Sequence, residues 1–121
     1  MNVSTFLLIL ASIFLGIAGQ ISLKYGIKLK EISLQDFLSK KFFSIILDKF
    51  ILLGLTFYLF ATFLWLIVLS KEEVSKAYPM LAIGYIIIVI ISKIFLHESL
   101  TILKVIGIIL ISLGVFFLFK S

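Results

Sequence analysis

The chain has 121 residues, of which 63% are hydrophobic and 14% are charged, and its formal net charge is +5. A soluble domain this small cannot bury so much apolar surface, because small folds leave a large fraction of their residues exposed. Soluble domains use about 45–50% apolar residues, so the composition excludes an ordinary soluble domain and indicates a membrane protein.

Residue types that carry much of enzyme chemistry are scarce. There are no cysteines, and one histidine and six carboxylates are spread along the chain. No Ser-His-Asp set, pair of catalytic carboxylates, phosphate loop or zinc motif occurs. We therefore predict no enzyme activity, no catalytic residue, no bound metal and no cofactor. The lysines lie at the ends of apolar runs and in one link, which favours an anionic membrane surface over nucleic acid as the partner.

Four apolar runs are long enough to cross the hydrocarbon core, which needs about 20 apolar residues per helix. They cover about residues 3–23, 50–69, 77–96 and 102–119. Helices are expected, because a chain this short with these runs cannot close a barrel. The first run lacks a preceding basic region and is interpreted as a retained helix. We predict an all-α membrane protein with a single four-helix transmembrane domain over residues 1–121.

The link between the first two runs, about residues 24–49, is longer than the others. Its Ser33-Leu34-Gln35-Asp36 sequence has the form of a helix start. A loosely helical alternation of apolar and charged residues follows it. This pattern predicts an amphipathic helix in the membrane interface, and the alternative is a simple extension of the second transmembrane helix.

Lysine positions predict the orientation, because cytoplasmic loops carry an excess of lysine. The links after the first and third runs lie on one side and hold eight lysines, whereas the other side holds Lys71, Lys76 and Lys120. The bias places both termini outside the cytoplasm. We expect a multi-pass protein of a bacterial inner membrane or an archaeal plasma membrane.

A polar stripe marks the first helix, where Ser12, Gly16, Gln20 and Lys24 recur at spacings of four. Such residues share roughly one helix face. Polar groups at membrane depth are costly, so they are candidates for function. Gln20 and Lys24 are our candidates for substrate binding. The alternative is helix packing, in which small residues permit close approach and Gln20 makes an interhelical bond.

The third and second helices supply further candidates. Tyr78 and Tyr85 share a face of the third helix, and Lys93 lies near its end. Tyr78 also fits an interfacial aromatic belt. On the second helix, Tyr58 and Trp65 lie one heptad apart and are expected to face a cavity. Two threonines on this helix, Thr56 and Thr62, are expected to bond their own backbone, and Pro79 is either an early-turn proline or a kink.

The end of the chain supplies one more binding candidate and a packing seam. Glu98 either finishes the turn after the third helix or pairs with Lys93 or Lys104 at the mouth of a cavity. On the fourth helix, Gly107, Ile111 and Gly114 form a close-packing seam. This seam is the candidate dimer interface.

Four short motifs resemble those of a known family. They are Ala18-Gly19-Gln20 with Lys24, Leu64-Trp65-Leu66, Ala77-Tyr78-Pro79-Met80-Leu81 and His97-Glu98. Together they resemble the drug/metabolite transporter superfamily in its small four-helix, EamA-like form. Within it, the chain is most similar to the ArnE/ArnF-type subunits that flip aminoarabinose-phosphoundecaprenol. The resemblance covers nearly the whole chain and implies a transporter that dimerises through its fourth helix.

One departure from the related small multidrug resistance exporters bears on the substrate. Those exporters carry a buried glutamate in the first helix, which exchanges protons for a cation. Alignment on Lys24 places Gly16 at that position, and the first helix contains no acidic residue. Lys24 and Lys93 instead suit a phosphate.

The residues and the resemblance together predict a flippase, or a flippase subunit, for a polyprenyl-phosphate-linked sugar. Lys24 and Lys93 would hold the phosphate, and Gln20, Tyr78 and Tyr85 would hydrogen-bond the headgroup. The expected partners are membrane lipid, the glycolipid substrate, and a similar four-helix chain in a homodimer or heterodimer. The alternatives are a small multidrug resistance-like exporter of metabolites or drugs, and a non-transporting scaffold subunit.

Overall fold

A computed structural model describes residues 2–121, and the described range is formed by helices and short links without a strand. The helices are α1 Val3–Lys30, α2 Leu34–Phe37, α3 Phe42–Ile46, α4 Lys49–Lys71, α5 Val74–Met80, α6 Ile83–Phe95 and α7 Ile102–Lys120. Four helical stretches are long and apolar enough to cross a membrane: α1, α4, α5 together with α6, and α7. The predicted all-α fold with four membrane-spanning segments is confirmed.

Helix α1 is longer than the sequence predicted. Asn2 caps its start by accepting a hydrogen bond from the Thr5 N–H at 2.9 Å. The helix continues to Lys30 and ends where Glu31 adopts a left-handed φ of 50°. Its 28 residues span about 42 Å, which exceeds the roughly 30 Å hydrocarbon core. The prediction that the link begins at residue 24 was therefore wrong, because apolar character ends before the helix does.

The long link contains two short helices, α2 and α3, instead of one amphipathic helix. The predicted helix start is present, because the Ser33 N–H and hydroxyl both donate to the Asp36 carboxylate, at 3.0 and 3.2 Å. Asp48 then caps α4 by accepting hydrogen bonds from the N–H groups of Phe50 and Ile51. This cap gives α4 a separate start, so the alternative of a simple helix extension is wrong.

The closest helix pair is α1 with α4. A Cβ atom on Gly19 would lie 2.9 Å from the Gly54 carbonyl oxygen, and the reverse distance is also 2.9 Å. The Ser12 hydroxyl donates to the Ala61 carbonyl at 2.9 Å, and the Ser22 hydroxyl donates to the Phe50 carbonyl at 2.7 Å. Glycine contacts and hydroxyl bonds of this kind are typical of helix pairs in membranes.

The third span is broken between α5 and α6. Pro79 lies inside α5 and has no N–H to continue the helical bonding. Leu81 and Ala82 bond back three residues, to the carbonyls of Tyr78 and Pro79 at 3.0 Å each, which is the spacing of a 3₁₀ turn. Pro79 is therefore a break within the span, and not an early-turn proline.

Helix α7 packs least tightly. None of its residues is buried. It contacts α1 near its C-terminal end, where the ring of Phe119 lies 5.6 Å from that of Phe6. A Cβ atom on Gly107 or Gly114 would have no neighbour within 4 Å. The two glycines of the seam therefore leave room for a neighbour in the single chain, although Gly107 and Ile111 are half-buried.

Candidate functional site

A central pocket of about 300 Å³ lies among α1, α4 and the broken third span. Its depth follows from its walls, because Gly16 and Gln20 are far from both ends of α1 while Ala61 is near the middle of α4. The lining residues are Ser12, Ile13, Gly16, Ile17, Gln20, Tyr58, Ala61, Thr62, Trp65, Leu81, Gly84, Tyr85 and Ile88.

Gly16 keeps this pocket open. A Cβ atom at Gly16 would meet nothing within 4 Å, whereas one at Gly84, across the pocket, would lie 3.1 Å from Ile13 of α1. Gly84 therefore permits the approach of α6 to α1, and Gly16 leaves space beside that contact.

The pocket is mostly apolar and carries no charge, with a few hydrogen-bonding groups in its walls. Gln20, Tyr58, Trp65 and Tyr85 contribute groups that can hydrogen-bond a ligand. The Ser12 hydroxyl is already bonded to Ala61, and the Thr62 hydroxyl donates to the carbonyl of Tyr58 in its own helix at 2.9 Å. Among the lining residues, all within residues 2–121, none is charged. The pocket therefore suits a neutral hydrogen-bonding group better than an ion.

A second pocket, of about 410 Å³, lies where the ends of α1 and α6 meet, and we call it the basic pocket. Its lining residues are Lys24, Ile27, Lys28, Ile32, Leu96 and Glu98. The Lys28 ammonium donates to the Leu96 carbonyl at 3.4 Å, which joins the two helix ends. His97 adopts a left-handed φ of 57°, and the Glu98 N–H reaches back to the Ser92 carbonyl at 3.1 Å. Two cations and one carboxylate give this pocket a net positive charge.

An apolar groove of about 490 Å³ runs along another side of α1. It is formed by α1, α4 and α6, and five of its eleven lining residues are aromatic. Its lining residues are Phe14, Ile17, Ala18, Ile21, Ser22, Tyr25, Phe50, Leu53, Phe57, Ile91 and Phe95. Ile17 lines both the groove and the central pocket, so this side chain lies between the two.

The structure divides the candidate residues into groups. Gln20, Tyr58, Trp65 and Tyr85 line the central pocket together, whereas Lys24 and Glu98 line the basic pocket. Tyr78 is exposed, and its ring lies 6.4 Å from that of Trp65. The remaining candidates, Lys93 on α6 and Gly107, Ile111 and Gly114 on α7, line neither pocket.

Sequence reasoning missed Lys28 and the role of Gly16 in the pocket. Lys28 lies one turn beyond Lys24 on α1, and this spacing would have indicated it had α1 been extended past residue 23. Two other interpretations were open at Glu98 and the threonines. Glu98 makes no ion pair among the described residues, while Lys104 donates to the Ser99 carbonyl. Thr56 and Thr62 do bond their own helix, as predicted.

An ion pair joins the C-terminal end of α1 to the residue that caps α4. The Lys30 ammonium lies 2.9 Å from the Asp48 carboxylate, whose side chain is 4% exposed. The hydrogen bond from Lys30 holds the pKa of the Asp48 carboxyl below its ordinary value of 3.8, and the N–H groups of Ile51 and Phe50 act in the same direction against the effect of burial. Asp48 therefore stays ionised while it caps α4.

Comparison with known proteins identifies the family. The family model described as the EamA-like transporter family matches residues 1–120. The chain belongs to the EamA-like transporter family. It is accordingly a multi-pass membrane protein of a transporter family, as the sequence predicted, and its four apolar helices agree with that placement.

One relative is named "Probable 4-amino-4-deoxy-L-arabinose-phosphoundecaprenol flippase subunit ArnE", from Enterobacter sp. (strain 638). It is 38% identical to this chain over 58 residues, which cover 48% of this chain and 54% of the relative. The matched region thus spans about half the length of each protein. No solved structure matches the chain.

Proposed function

We propose that this protein is a flippase, or a flippase subunit, for a polyprenyl-phosphate-linked sugar. The observation that carries the proposal is the uncharged, hydrogen-bonding central pocket at mid-depth, one helical turn along α1 from the basic pocket. A sugar headgroup needs neutral polar partners while it crosses the hydrocarbon. Its phosphate needs cations, and these lie next to the pocket.

The energetic reason is the cost of moving hydroxyl groups through an apolar medium. Each hydroxyl without a hydrogen-bond partner costs roughly 2–7 kcal/mol on transfer out of water. A sugar carries several hydroxyls, so an unassisted crossing is very slow. Gln20, Tyr58 and Tyr85 replace part of the lost hydration. Because the pocket contains no carboxylate, exchange of a cation for protons is not supported there.

The name of the ArnE relative adds support, because it specifies a flippase subunit and a lipid-linked sugar. Its name also motivates a partner chain. We propose that a second four-helix chain, identical or similar, packs on the open Gly107–Gly114 seam of α7. A Cβ atom at either glycine of the seam would meet no neighbour in the single chain, and small residues are typical of helix contacts in membranes.

The test is a flipping assay on purified protein in liposomes that contain a radiolabelled polyprenyl-phosphate sugar. Accessibility of the headgroup to an external, membrane-impermeant oxidant reports its movement between leaflets. We expect Gln20→Ala and Tyr85→Phe each to slow flipping at unchanged protein levels. Thr56→Val is the matched control, because Thr56 bonds the Leu52 carbonyl of its own helix at 2.8 Å and lies outside the central pocket.

The outcomes separate the alternatives. Slower flipping in both variants supports the proposal, and unchanged flipping in both contradicts the role of the pocket. If no lipid moves but expression of the protein confers resistance to small aromatic compounds on cells, the protein is an exporter. If neither activity occurs while a partner subunit requires this chain for assembly, the scaffold alternative holds.

A further inference from the structure

The basic pocket and the apolar groove adjoin each other. Lys24 of the basic pocket is followed in the chain by Tyr25 of the groove, and Leu96 of the pocket is preceded by Phe95 of the groove. Residues of the two surfaces are therefore neighbours at two places, on α1 and at the C-terminal end of α6, while α4 contributes only to the groove. The two ammonium groups and the aromatic residues of the groove do not line the central pocket, so its proposed role gives them no function.

The two surfaces lie at different depths in the membrane, as the charged head and the apolar tail of a lipid do. Counted from Val3, about 20 residues of α1 fill the hydrocarbon core, which places Lys24 and Lys28 at the level of the headgroups. The groove extends from Phe14 to Tyr25, a distance of about 16 Å along the helix. The charged end thus lies among headgroups, and the apolar end lies in the hydrocarbon.

We propose that these two surfaces form one docking site for a polyprenyl phosphate lipid, with the phosphate held by Lys24 and Lys28 and the adjoining part of the chain in the groove. This inference rests on the proposed function and gives its substrate a loading position. Charge selects the occupant, because two ammonium groups and the Glu98 carboxylate leave a net charge of +1 for a phosphate. Glu98 can accept hydrogen bonds from the attached sugar.

The docking site lies close to the central pocket along α1. Gln20 precedes Lys24 by one turn on α1, so a headgroup moves only about 6 Å along the helix to enter the central pocket. Ile17 lies between that pocket and the groove. The chain of the lipid can therefore remain on the groove side while the headgroup crosses.

Lipid titration of the intact protein in detergent, followed by native mass spectrometry, tests the site. The probes are polyprenyl phosphate, the corresponding polyprenol without phosphate, phosphatidylglycerol and inorganic phosphate. We expect polyprenyl phosphate to bind best and the double variant Lys24→Gln/Lys28→Gln to weaken its binding by about tenfold or more, because charged hydrogen bonds are lost. Lys71→Gln, an exposed lysine at the opposite end of α4, should leave binding unchanged.

Two further measurements examine the groove. Ala18→Phe places a ring in the groove, and we expect it to weaken binding of both polyprenyl phosphate and polyprenol. Photo-crosslinking then locates the lipid in the otherwise unchanged protein. With p-benzoylphenylalanine in place of Phe95, the crosslinked lipid should be enriched in polyprenyl phosphate relative to phospholipid. At Phe60, a similarly exposed aromatic residue away from the groove, there should be no enrichment.

The results distinguish this site from the proposed function as a whole. The docking site is wrong, and the flippase proposal stands, if the unaltered protein prefers polyprenyl phosphate but two results match their controls. These are binding by the lysine variant equal to that of Lys71→Gln, and crosslinking at Phe95 no more enriched than at Phe60. If the unaltered protein shows no preference over phosphatidylglycerol, both are contradicted. A site that also binds the polyprenyl tail should hold the lipid more tightly than phosphate alone. Displacement of the lipid by an equal concentration of inorganic phosphate would therefore contradict the docking site.

Discussion

At the scale of single residues, each member of the α1 stripe has a different role. Ser12 bonds the backbone of α4, Gly16 leaves space, Gln20 lines the central pocket and Lys24 lines the basic pocket. The stripe drifts around the helix by about 40° at each step. It therefore follows a path from a packed contact through a neutral pocket to a charged one.

Gly16→Leu tests whether the central pocket is the path of the headgroup. No atom lies within 4 Å of a Cβ at this position, so a side chain there begins in open space, and we expect leucine to occupy part of the pocket. We expect the thermal midpoint of unfolding to be unchanged or higher, since leucine favours a helix by up to about 1 kcal/mol over glycine. Flipping should be abolished in the liposome assay. Normal flipping in a folded Gly16→Leu protein would contradict the path.

Asp48→Asn tests the ion pair with Lys30. The carboxyl has a lowered pKa in the folded protein, so its ionised form contributes stability above the ordinary value of 3.8, and this contribution is lost as the pH falls through the lowered pKa. We expect the unaltered protein to lose thermal stability in that acidic range. Asp48→Asn should lower the thermal stability at neutral pH, and the stability of the variant should change less as the pH falls.

Asp36→Asn is the matched control for this experiment. Its partner Lys41 lies 3.8 Å away, and the lysine side chain is 76% exposed. Exposed pairs contribute little stability. An effect of Asp36→Asn on thermal stability equal to that of Asp48→Asn would contradict a specific role for the capped, buried carboxylate.

At the scale of helices, apolar runs predicted the number and helical type of the membrane spans, but not where the helices end or break. Each span was recognisable because lipid requires about 20 apolar residues. The extension of α1 to Lys30 was not, since charged residues can continue a helix beyond the membrane. The central pocket was predicted in part, because Gln20 and Tyr85 stand out as polar residues at depth. The separation of the central pocket from the basic pocket depends on how α6 crosses α1. The order of apolar and polar residues along the sequence does not predict that crossing.

The α1–α4 crossing provides a stability test. Gly19→Ala brings a Cβ atom to 2.9 Å from the Gly54 carbonyl oxygen, and backbone atoms cannot yield as a flexible side chain would. We expect a loss of about 1–3 kcal/mol in the free energy of unfolding, as for other overpacked contacts. Denaturation in mixed micelles measures it. A Gly19→Ala protein as stable as the unaltered one would mean that the helices are not in such close contact.

At the scale of the whole molecule, the bundle of four membrane spans buries no residue of α7, and the proposed partner chain accounts for the surface that remains exposed. Gly114→Leu should leave the fold of a single chain intact, because a Cβ there meets no neighbour within 4 Å. We expect the variant to dissociate the dimer at detergent concentrations where the unaltered protein remains dimeric. Sedimentation in density-matched detergent measures this, and Leu113→Ala, on the same helix, controls for general effects on α7.

A dimer that persists in Gly114→Leu would show that the subunits meet elsewhere. The lysine bias predicts one fixed orientation for the chain. A partner chain inserted in the opposite orientation would have its excess of lysines on the opposite links. A parallel homodimer would need no such partner, because both copies would have the same orientation.

Native mass spectrometry of the protein extracted gently from its own membrane tests the central claim most directly, because it reports the oligomeric state and the bound lipid together. The flippase account predicts a dimer that retains a polyprenyl phosphate or its glycosylated form. A species that retains ordinary phospholipids but no polyprenyl lipid, across preparations that preserve the dimer, would contradict that account.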